Sequence, residues 1–322
     1  MKKIEKIDKI LKGEDTGKLA ASFWRHFYNF EYDIKLLADA LITFQNKFKW
    51  DFIKINPRAS YHIEDWDCKY DYIIDTKPVR ISYPIKKGLD WKKIKPLKIN
   101  ESVLAEHLKL AEYVYKEYKG EVPIIFTIFL PLEIAARICW NRILFKQHLS
   151  NYQEYVEGAL DSIVITFAEF ANRLIEKGLN GLFIATKCAT LDYLTDDEFY
   201  KWQKSYDIKF LNLIKRKDLI LILHICGKRI RINEMLNYPV NILHWDSQDY
   251  TNLSLREVYD RVKDKVLMGG LSNKQMQELS IEENLAIIRE IGLNNRWILG
   301  AECALEPPFN EELLLAISRY IA

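Results

Sequence analysis

The sequence lacks several features that would assign it to large protein classes. Its 322 residues contain 5 cysteines, and none of these form a close C-x-x-C pair. Cysteines that are few, odd in number and widely spaced are typical of a reducing compartment, so we expect a cytoplasmic protein without a disulfide framework. The missing close pairs also argue against a structural zinc site, which normally contains them.

Long apolar stretches are absent as well. No run of about 18 or more apolar residues occurs, so the sequence predicts no membrane-spanning segment. The opening residues, MKKIEKIDKILKGE, mix both charges and lack the apolar core of a secretion signal. The formal net charge is only +2, so the composition gives no reason to expect a nucleic-acid partner. A chain of this length can build a large core, so a metal would serve chemistry rather than folding.

Seven short apolar or β-branched segments predict buried strands. Most are continuous rather than alternating, as expected for a parallel sheet that is covered on both faces. The strand segments are 51–56, 122–130, 181–186, 219–225, 240–245, 265–272 and 296–301. Stretches with helical spacing lie between them, at 34–48, 101–118, 161–177, 195–213 and 280–291.

This alternation of strand and helix predicts parallel βα units. Without a glycine-rich dinucleotide fingerprint, the pattern favours a closed (β/α)8 TIM barrel over a doubly wound sheet. We expect residues 1–322 to form one α/β domain, in which residues 1–50 are a helical segment that packs on the barrel. The eighth strand is either 79–83 or a segment hidden near the N-terminus. The long irregular segment 57–98 is expected to cover a site or carry function.

In such barrels the catalytic groups lie where strands end and the following loops begin. His224 and Cys226 are two residues apart at one strand end, so they point the same way and both can reach one ion. Cys303 follows the last strand. Three nitrogen and sulfur ligands leave the fourth position of zinc open, which is typical of catalytic sites. All strand-end candidates are Asn56, Lys187, His224, Cys226, Asp246, Ser272, Glu302 and Cys303.

The residues alone leave a second interpretation open. A His-x-Cys at a strand end is more often a packed histidine beside an inert buried cysteine. If zinc is bound, Asp246 is the candidate fourth ligand, because it ends the next strand and could be displaced by substrate; water is the alternative.

Five stretches carry a pattern that extends beyond single residues. They are TIFLPLEIAARI (127–138), GLFIATKCATLDYLTDDEFYKW (181–202), LILHICGK (221–228), NILHWDSQDYTNLSLREVYDRVKDKVLMGGLS (241–272) and ILGAECALEPPFNEELLLAI (298–317). These stretches resemble the uroporphyrinogen decarboxylase superfamily, and more closely its zinc-dependent, corrinoid-linked thiol methyltransferases.

The resemblance implies one zinc ion per chain, held by His224, Cys226 and Cys303. By analogy with methionine-synthase barrels, it also implies an acidic ligand at Asp246. The implied substrate is a small-molecule thiol, and the implied partner is a transiently bound protein that carries a methyl-corrinoid. A homodimer is compatible with the family, although nothing in the periodicity indicates one.

Two features of the decarboxylases themselves are missing. Their motif has two arginines four residues apart that bind substrate carboxylates, whereas the matching stretch FWRHF retains only Arg25. Asn56 stands where the decarboxylases carry an essential aspartate. We therefore expect methyl transfer to a zinc-bound thiol. The alternatives are a decarboxylase-like lyase that acts on a tetrapyrrole carboxylate, and a non-catalytic barrel that binds a tetrapyrrole or corrinoid.

The other residues at the barrel mouth receive provisional roles. Lys187 would contact the substrate, and Glu302 would either orient a ligand or face away; with Asp246, these two are the catalytic candidates. Arg25 and His26 would contact an anionic group of the substrate or pack at a helix start. The expected substrate-binding residues are Arg25, His26, Asn56, Tyr61 and Ser272.

Overall fold

The computed structural model describes residues 1–73, 76–215, 218–293 and 295–322. Eight parallel strands, β1 to β8, form one sheet that curls into a (β/α)8 barrel. Along the sheet, β1 pairs with β8, and the pairing then runs through β7, β6, β5, β4 and β3 to β2. The strands are β1 Ala20–Ala21, β2 Ile53–Ile55, β3 Ile124–Phe129, β4 Gly181–Thr186, β5 Ile220–Ile225, β6 Ile242–Trp245, β7 Val266–Leu271 and β8 Trp297–Ala301.

Helices surround the sheet, and none in the described ranges has both the length and the apolar content that crossing a membrane requires. Short 3-10 helices span Glu64–Trp66, Gly88–Lys93 and Ile99–Glu101, and a π-helical turn spans Phe199–Lys204. The α-helices are α1 Lys3–Leu11, α2 Ile34–Phe48, α3 Val103–Tyr118, α4 Pro131–Ile138, α5 Arg142–Asn151, α6 Gln153–Glu176, α7 Asp196–Glu198, α8 Ser205–Asn212, α9 Ile232–Met235, α10 Leu255–Arg261, α11 Asn273–Glu278, α12 Ile281–Ile291 and α13 Glu311–Ile321.

The barrel closes between β1 and β2 through isolated hydrogen bonds. The Asp51 N–H donates to the Ala21 carbonyl at 2.9 Å, and Ser22 Oγ donates to the Phe52 carbonyl at 2.9 Å. The Asp51 carboxylate also accepts from the Ala21 N–H at 2.9 Å and from Lys6 Nζ of α1 at 3.1 Å. One buried carboxylate thus connects α1, β1 and the start of β2.

Alternate side chains of the strands fill the inside of the barrel. Ile7 and Ile10 of α1 belong to this inner cluster and close the end at which the strands begin. On β5, Ile220 and Ile222 point inward, and His224 continues their row because strand side chains alternate between faces. The apolar interior therefore ends in polar side chains at the opposite end, where the βα loops meet.

The structure confirms the barrel and corrects one strand. All seven predicted segments contain a barrel strand, and the eighth is β1, near the N-terminus. The alternative at 79–83 is wrong, because Val79–Arg80 pairs antiparallel with Tyr70–Asp71 in a separate two-stranded ribbon. Residues 1–50 contain α1 and α2, but they also contain β1, so this segment contributes to the barrel itself. The helix predicted at 195–213 is interrupted by the π-helical turn.

We expect Asp51→Ala to lower the free energy of unfolding by about 3 kcal/mol, since it leaves the buried Lys6 ammonium without its counter-charge. Equilibrium unfolding in urea measures this loss. As a control, Lys47→Ala removes one partner of an exposed ion pair with Glu311. That variant should lose less than about 1 kcal/mol. Equal losses in both variants would contradict the role of Asp51 in closing the barrel.

Candidate metal centre

Three potential metal ligands come together at the loop end of the barrel. His224 is the penultimate residue of β5, Cys226 directly follows this strand, and Cys303 lies just beyond β8. One donor atom from each residue lies within 4.8 Å of the other two. Cys303 Sγ is 3.6 Å from His224 Nε2. The structure thus brings together the three residues that the sequence places at strand ends; we call them the ligand group.

Backbone contacts position Cys226 on one side of the ligand group. Its N–H donates to the Thr186 carbonyl at 2.9 Å, which extends the pairing of β4 and β5 beyond the end of β5. The chain then turns at Gly227, whose φ of +126° is a conformation that residues with a side chain rarely adopt. The turn leaves the Cys226 side chain at the end of the inward row of β5.

The segment that carries Cys303 is held from two sides. Before it, the Ala301 carbonyl accepts a hydrogen bond from His244 Nε2 at 2.8 Å. After it, the Leu305 N–H donates to the Trp24 carbonyl at 2.8 Å. Cys303 therefore lies on a short loop that is fixed to both β6 and the extension of β1.

The donor atoms fit a zinc ion in their chemistry, and one of the distances between them matches its geometry. Two ligands of a tetrahedral zinc, with bonds of about 2.3 Å to sulfur and about 2.1 Å to nitrogen, lie roughly 3.6 Å apart. The distance between Cys303 Sγ and His224 Nε2 has this value. Two cysteines and one histidine would leave the fourth tetrahedral position for a substrate or solvent atom.

The two thiols of the ligand group differ in acidity. A hydrogen bond from Cys226, with a further contribution from His224, holds the pKa of Cys303 well below its usual range, although burial acts in the opposite direction. The same hydrogen bond, together with burial, raises the pKa of Cys226. Cys303 is thus the first of the pair to become a thiolate, which is the form that binds metal.

Aromatic rings line the inner side of the ligand group. The His224 ring lies 4.6 Å from that of His244 and 5.2 Å from that of Phe183. Burial, with a smaller effect of His224, lowers the pKa of His244 to about 3, so His244 is neutral. His244 supports the ligand group from its other side, by holding the Ala301 carbonyl. His224 Nδ1 has no hydrogen-bond partner among the described residues.

Asp246 does not join the ligand group. Its Oδ1 accepts hydrogen bonds from the Gln248 and Asp249 N–H groups at 3.0 and 3.1 Å, so this carboxylate organises the loop after β6. Glu302 accepts a hydrogen bond from Asn273 Nδ2 at 3.2 Å. Burial raises the pKa of both Asp246 and Glu302, and Asp246 raises that of Glu302 further. The two carboxyl groups are therefore neighbours at the mouth and outside the ligand group.

Glu133, which the sequence analysis missed, is a buried carboxylate beside the site. It accepts from Arg137 Nε at 2.7 Å, from Arg142 Nη2 at 3.1 Å and from the Lys187 N–H at 3.0 Å. Burial alone would raise its pKa, but the two arginines lower it. The Lys187 side chain is exposed, and its charge lowers the pKa values of both Cys226 and Cys303. Glu133 thus fixes the backbone from which Lys187 acts.

Arg25 and His26 are engaged by their neighbours. The Arg25 guanidinium lies 4.4 Å from the Phe309 ring, and its Nε donates to the His26 carbonyl at 3.1 Å. His26 Nδ1 is 2.7 Å from Glu31 Oε1, and its ring stacks on Tyr28 at 5.0 Å. These contacts match the packing interpretation of the two residues.

Tyr61 and Ser272, both expected to bind substrate, make hydrogen bonds within the protein. The buried Tyr61 hydroxyl donates to the Thr127 carbonyl at 2.7 Å, and its ring packs in the outer core. An aromatic loop residue can place its hydroxyl on a backbone carbonyl and bury its ring, so substrate binding by Tyr61 stays a prediction. Ser272 caps α11, where its Oγ accepts from the Gln275 N–H at 3.1 Å.

Asn56 directly follows β2 and lies inside the barrel, where its hydrogen-bond partner is Lys54 of this strand. Asn56 Oδ1 accepts a hydrogen bond from Lys54 Nζ at 2.7 Å, and both residues are buried. The sequence analysis missed Lys54. The alternation along β2 could have identified it, because residues two apart on a strand point to the same face.

Comparisons with known proteins match most of the chain. A model of the uroporphyrinogen decarboxylase (URO-D) family matches residues 21–320. The methylcobamide:CoM methyltransferase MtbA of Methanosarcina acetivorans is 24% identical over 196 residues, and that of Methanosarcina mazei is 22% identical over 196 residues. Each alignment covers 61% of this chain and 56% of the relative, so the chain spans little more than half the length of these curated relatives.

Solved structures show the same fold. A methyltransferase from Methanosarcina mazei matches with a TM-score of 0.83 at 17% identity, over 99% of this chain and 98% of that one. A B12-independent methionine synthase from Shewanella sp. W3-18-1 matches with a TM-score of 0.59 at 14% identity, over 94% and 95% of the two chains. At these identities the likeness establishes the barrel fold alone.

We expect Tyr61→Phe to lower the free energy of unfolding by about 1 kcal/mol, because it removes a buried hydrogen bond to Thr127. Urea unfolding measures this change. The variant should keep the metal content of the unaltered protein, which elemental analysis determines, since Tyr61 belongs to the outer core. Loss of bound metal at unchanged stability would contradict this placement.

Proposed function

The chain belongs to the uroporphyrinogen decarboxylase (URO-D) family, and we propose that it is a methyltransferase whose methyl acceptor is a metal-activated thiol. The observation that carries the proposal is the convergence of His224, Cys226 and Cys303 within 4.8 Å at the mouth of the barrel. The curated relatives named as methylcobamide:CoM methyltransferases support the same reaction class.

In this proposal the ligand group holds one zinc ion per chain. Bound zinc would supply the positive charge that keeps a thiol deprotonated near neutral pH, where a free thiol with a pKa of about 8.5 is mostly protonated. The substrate thiolate is the nucleophile. A carbon–sulfur bond forms at the methyl group as the methyl–donor bond breaks, and the electron pair of that bond stays on the donor.

The proposed donor is a methyl-corrinoid on a partner protein that docks transiently over the mouth. This assignment follows the word methylcobamide in the names of the curated relatives. The proposed acceptor is a small thiol. Because two backbone N–H groups already bind Asp246 Oδ1, we assign the fourth position before substrate binding to a solvent molecule rather than to Asp246.

The same mouth offers less to a tetrapyrrole decarboxylase. Arg25, the arginine that remains from the decarboxylase pair, packs against the Phe309 ring at 4.4 Å. Asn56 replaces the essential aspartate and accepts a hydrogen bond from Lys54. Neither a carboxylate clamp nor an acid that could stabilise a pyrrole cation is therefore formed by these residues.

We expect the protein purified without chelators to contain about one equivalent of zinc, and Cys303→Ser to remove most of it. Losing a direct ligand should weaken binding by more than the ~10–100-fold that loss of an outer partner costs. Elemental analysis and competition with a chromophoric chelator measure content and affinity. Cys188→Ser is the matched control, because Cys188 is a buried cysteine near this face that lies outside the ligand group.

Two results would contradict this assignment. Less than about a tenth of an equivalent of zinc in the unaltered protein would reject the metal centre and favour a metal-free lyase or a binding protein. Equal zinc in Cys303→Ser and Cys188→Ser would show that Cys303 is not a ligand.

A further inference from the structure

Lys54 is a buried cation inside the barrel, on the strand β2. Its side chain points into the interior, and the residue is 4% exposed. Its ammonium donates to Asn56 Oδ1 at 2.7 Å. Among the described residues, no carboxylate lies within ion-pair distance of it, and Cys303 is the one group whose charge acts on it appreciably.

Aromatic rings surround the ammonium where a carboxylate would be expected. Lys54 Nζ lies 4.3 Å from the Phe183 ring and 4.7 Å from the Trp24 ring. The Phe183 ring is in turn 5.2 Å from His224, and the Trp24 ring is 5.3 Å from His244. These two rings, which we call the aromatic layer, thus contact both the Lys54 ammonium and the histidines beside Cys303. The burial of Lys54 leaves its charge weakly screened by solvent.

This arrangement is unfavourable for the fold alone. A buried ammonium without an anionic partner costs free energy, whereas an apolar side chain of similar size would not. Burial lowers the pKa of Lys54 to about 7, and Cys303 acts in the opposite direction. The attraction between the ammonium and the two aromatic rings compensates for only part of the hydration free energy that burial removes. A role outside folding accounts for a lysine at this position.

The charge balance of the proposed metal centre provides that role. Two cysteine thiolates neutralise the two charges of zinc, and a substrate thiolate adds one negative charge. We propose that Lys54 is a positioning residue that balances this added charge across the aromatic layer and so lowers the pH at which the thiol binds. The inference rests on the proposed function, and it places Lys54 in contact with the rings rather than with the substrate.

Other titratable groups face the same space, and their effects must be separated from that of Lys54. Lys187 is a second cation near the site, and its charge acts on both cysteines, but its side chain is exposed and therefore screened by solvent. The remaining groups that interact with Cys303 or Lys54 are His224, Cys226, His244, Tyr28 and Glu302.

The test uses Lys54→Met in the full chain, loaded with cobalt(II), whose absorption reports thiolate ligands. The probes are 2-mercaptoethanol, which is uncharged, and 2-mercaptoethanesulfonate. We expect Lys54→Met to bind the metal as tightly as the unaltered protein or more tightly, because a nearby cation repels a divalent ion. Both thiols should bind about tenfold more weakly at pH 7, with binding midpoints about one pH unit higher.

Lys265→Met is the matched control, since Lys265 is also buried but pairs with Asp264 at the far end of the barrel. It should bind both thiols as the unaltered protein does. Thermal unfolding checks the fold, and Lys54→Met should unfold at the same temperature or higher. If the methionine of Lys54→Met disturbs the packing, the test uses Lys54→Gln, which also removes the charge.

The outcomes separate this inference from the proposed function. If the unaltered protein binds neither metal nor thiol, the proposed function fails. If it binds both and Lys54→Met binds both thiols equally well, the inference alone fails. Weaker binding of the sulfonate alone would also overturn it, because Lys54 would then contact the substrate anion instead of balancing the metal centre.

Discussion

The approach of Cys303 to His224 is the contact on which the site depends. It joins the end of β5 to the loop after β8. In the sheet, β6 and β7 lie between β5 and β8. The curvature of a closed barrel brings these ends together, and the His244 contact with Ala301 fixes the loop. A flat sheet with the same sequence of strands would hold the two residues apart. The barrel is therefore a condition for the ligand group.

Charge is distributed unevenly around this contact. Carboxylates lie toward the loops, where Asp246 and Glu302 are half-buried neighbours and Glu133 is held by two arginines. The inner side carries aromatic rings and the ammonium of Lys54. In the proposed reaction, a substrate thiolate at the metal centre would have the Lys54 ammonium behind it and the open mouth of the barrel in front of it.

The sequence predicted the barrel and the convergence of His224, Cys226 and Cys303 at its mouth, because long apolar strands and their polar ends leave a clear pattern. It did not identify β1, since two alanines provide no apolar run. The contacts of Tyr61 and Ser272 with backbone groups were not predicted, because side-chain hydrogen bonds to the backbone leave no periodic signal. By alternation along β6, Asp246 is expected to point inward. Its carboxylate instead accepts hydrogen bonds from the Gln248 and Asp249 N–H groups of the following loop. The inward direction of Lys54 follows from alternation along β2, because Lys54 lies two residues before Asn56.

We propose that a thiol completes a metal site formed by His224, Cys226 and Cys303. Zinc X-ray absorption spectroscopy tests it most directly, on the protein with and without 2-mercaptoethanol. We expect two sulfur ligands in the free protein and a third sulfur when the thiol is added. A shell of nitrogen and oxygen ligands alone, or an unchanged number of sulfur ligands after addition of the thiol, would contradict it.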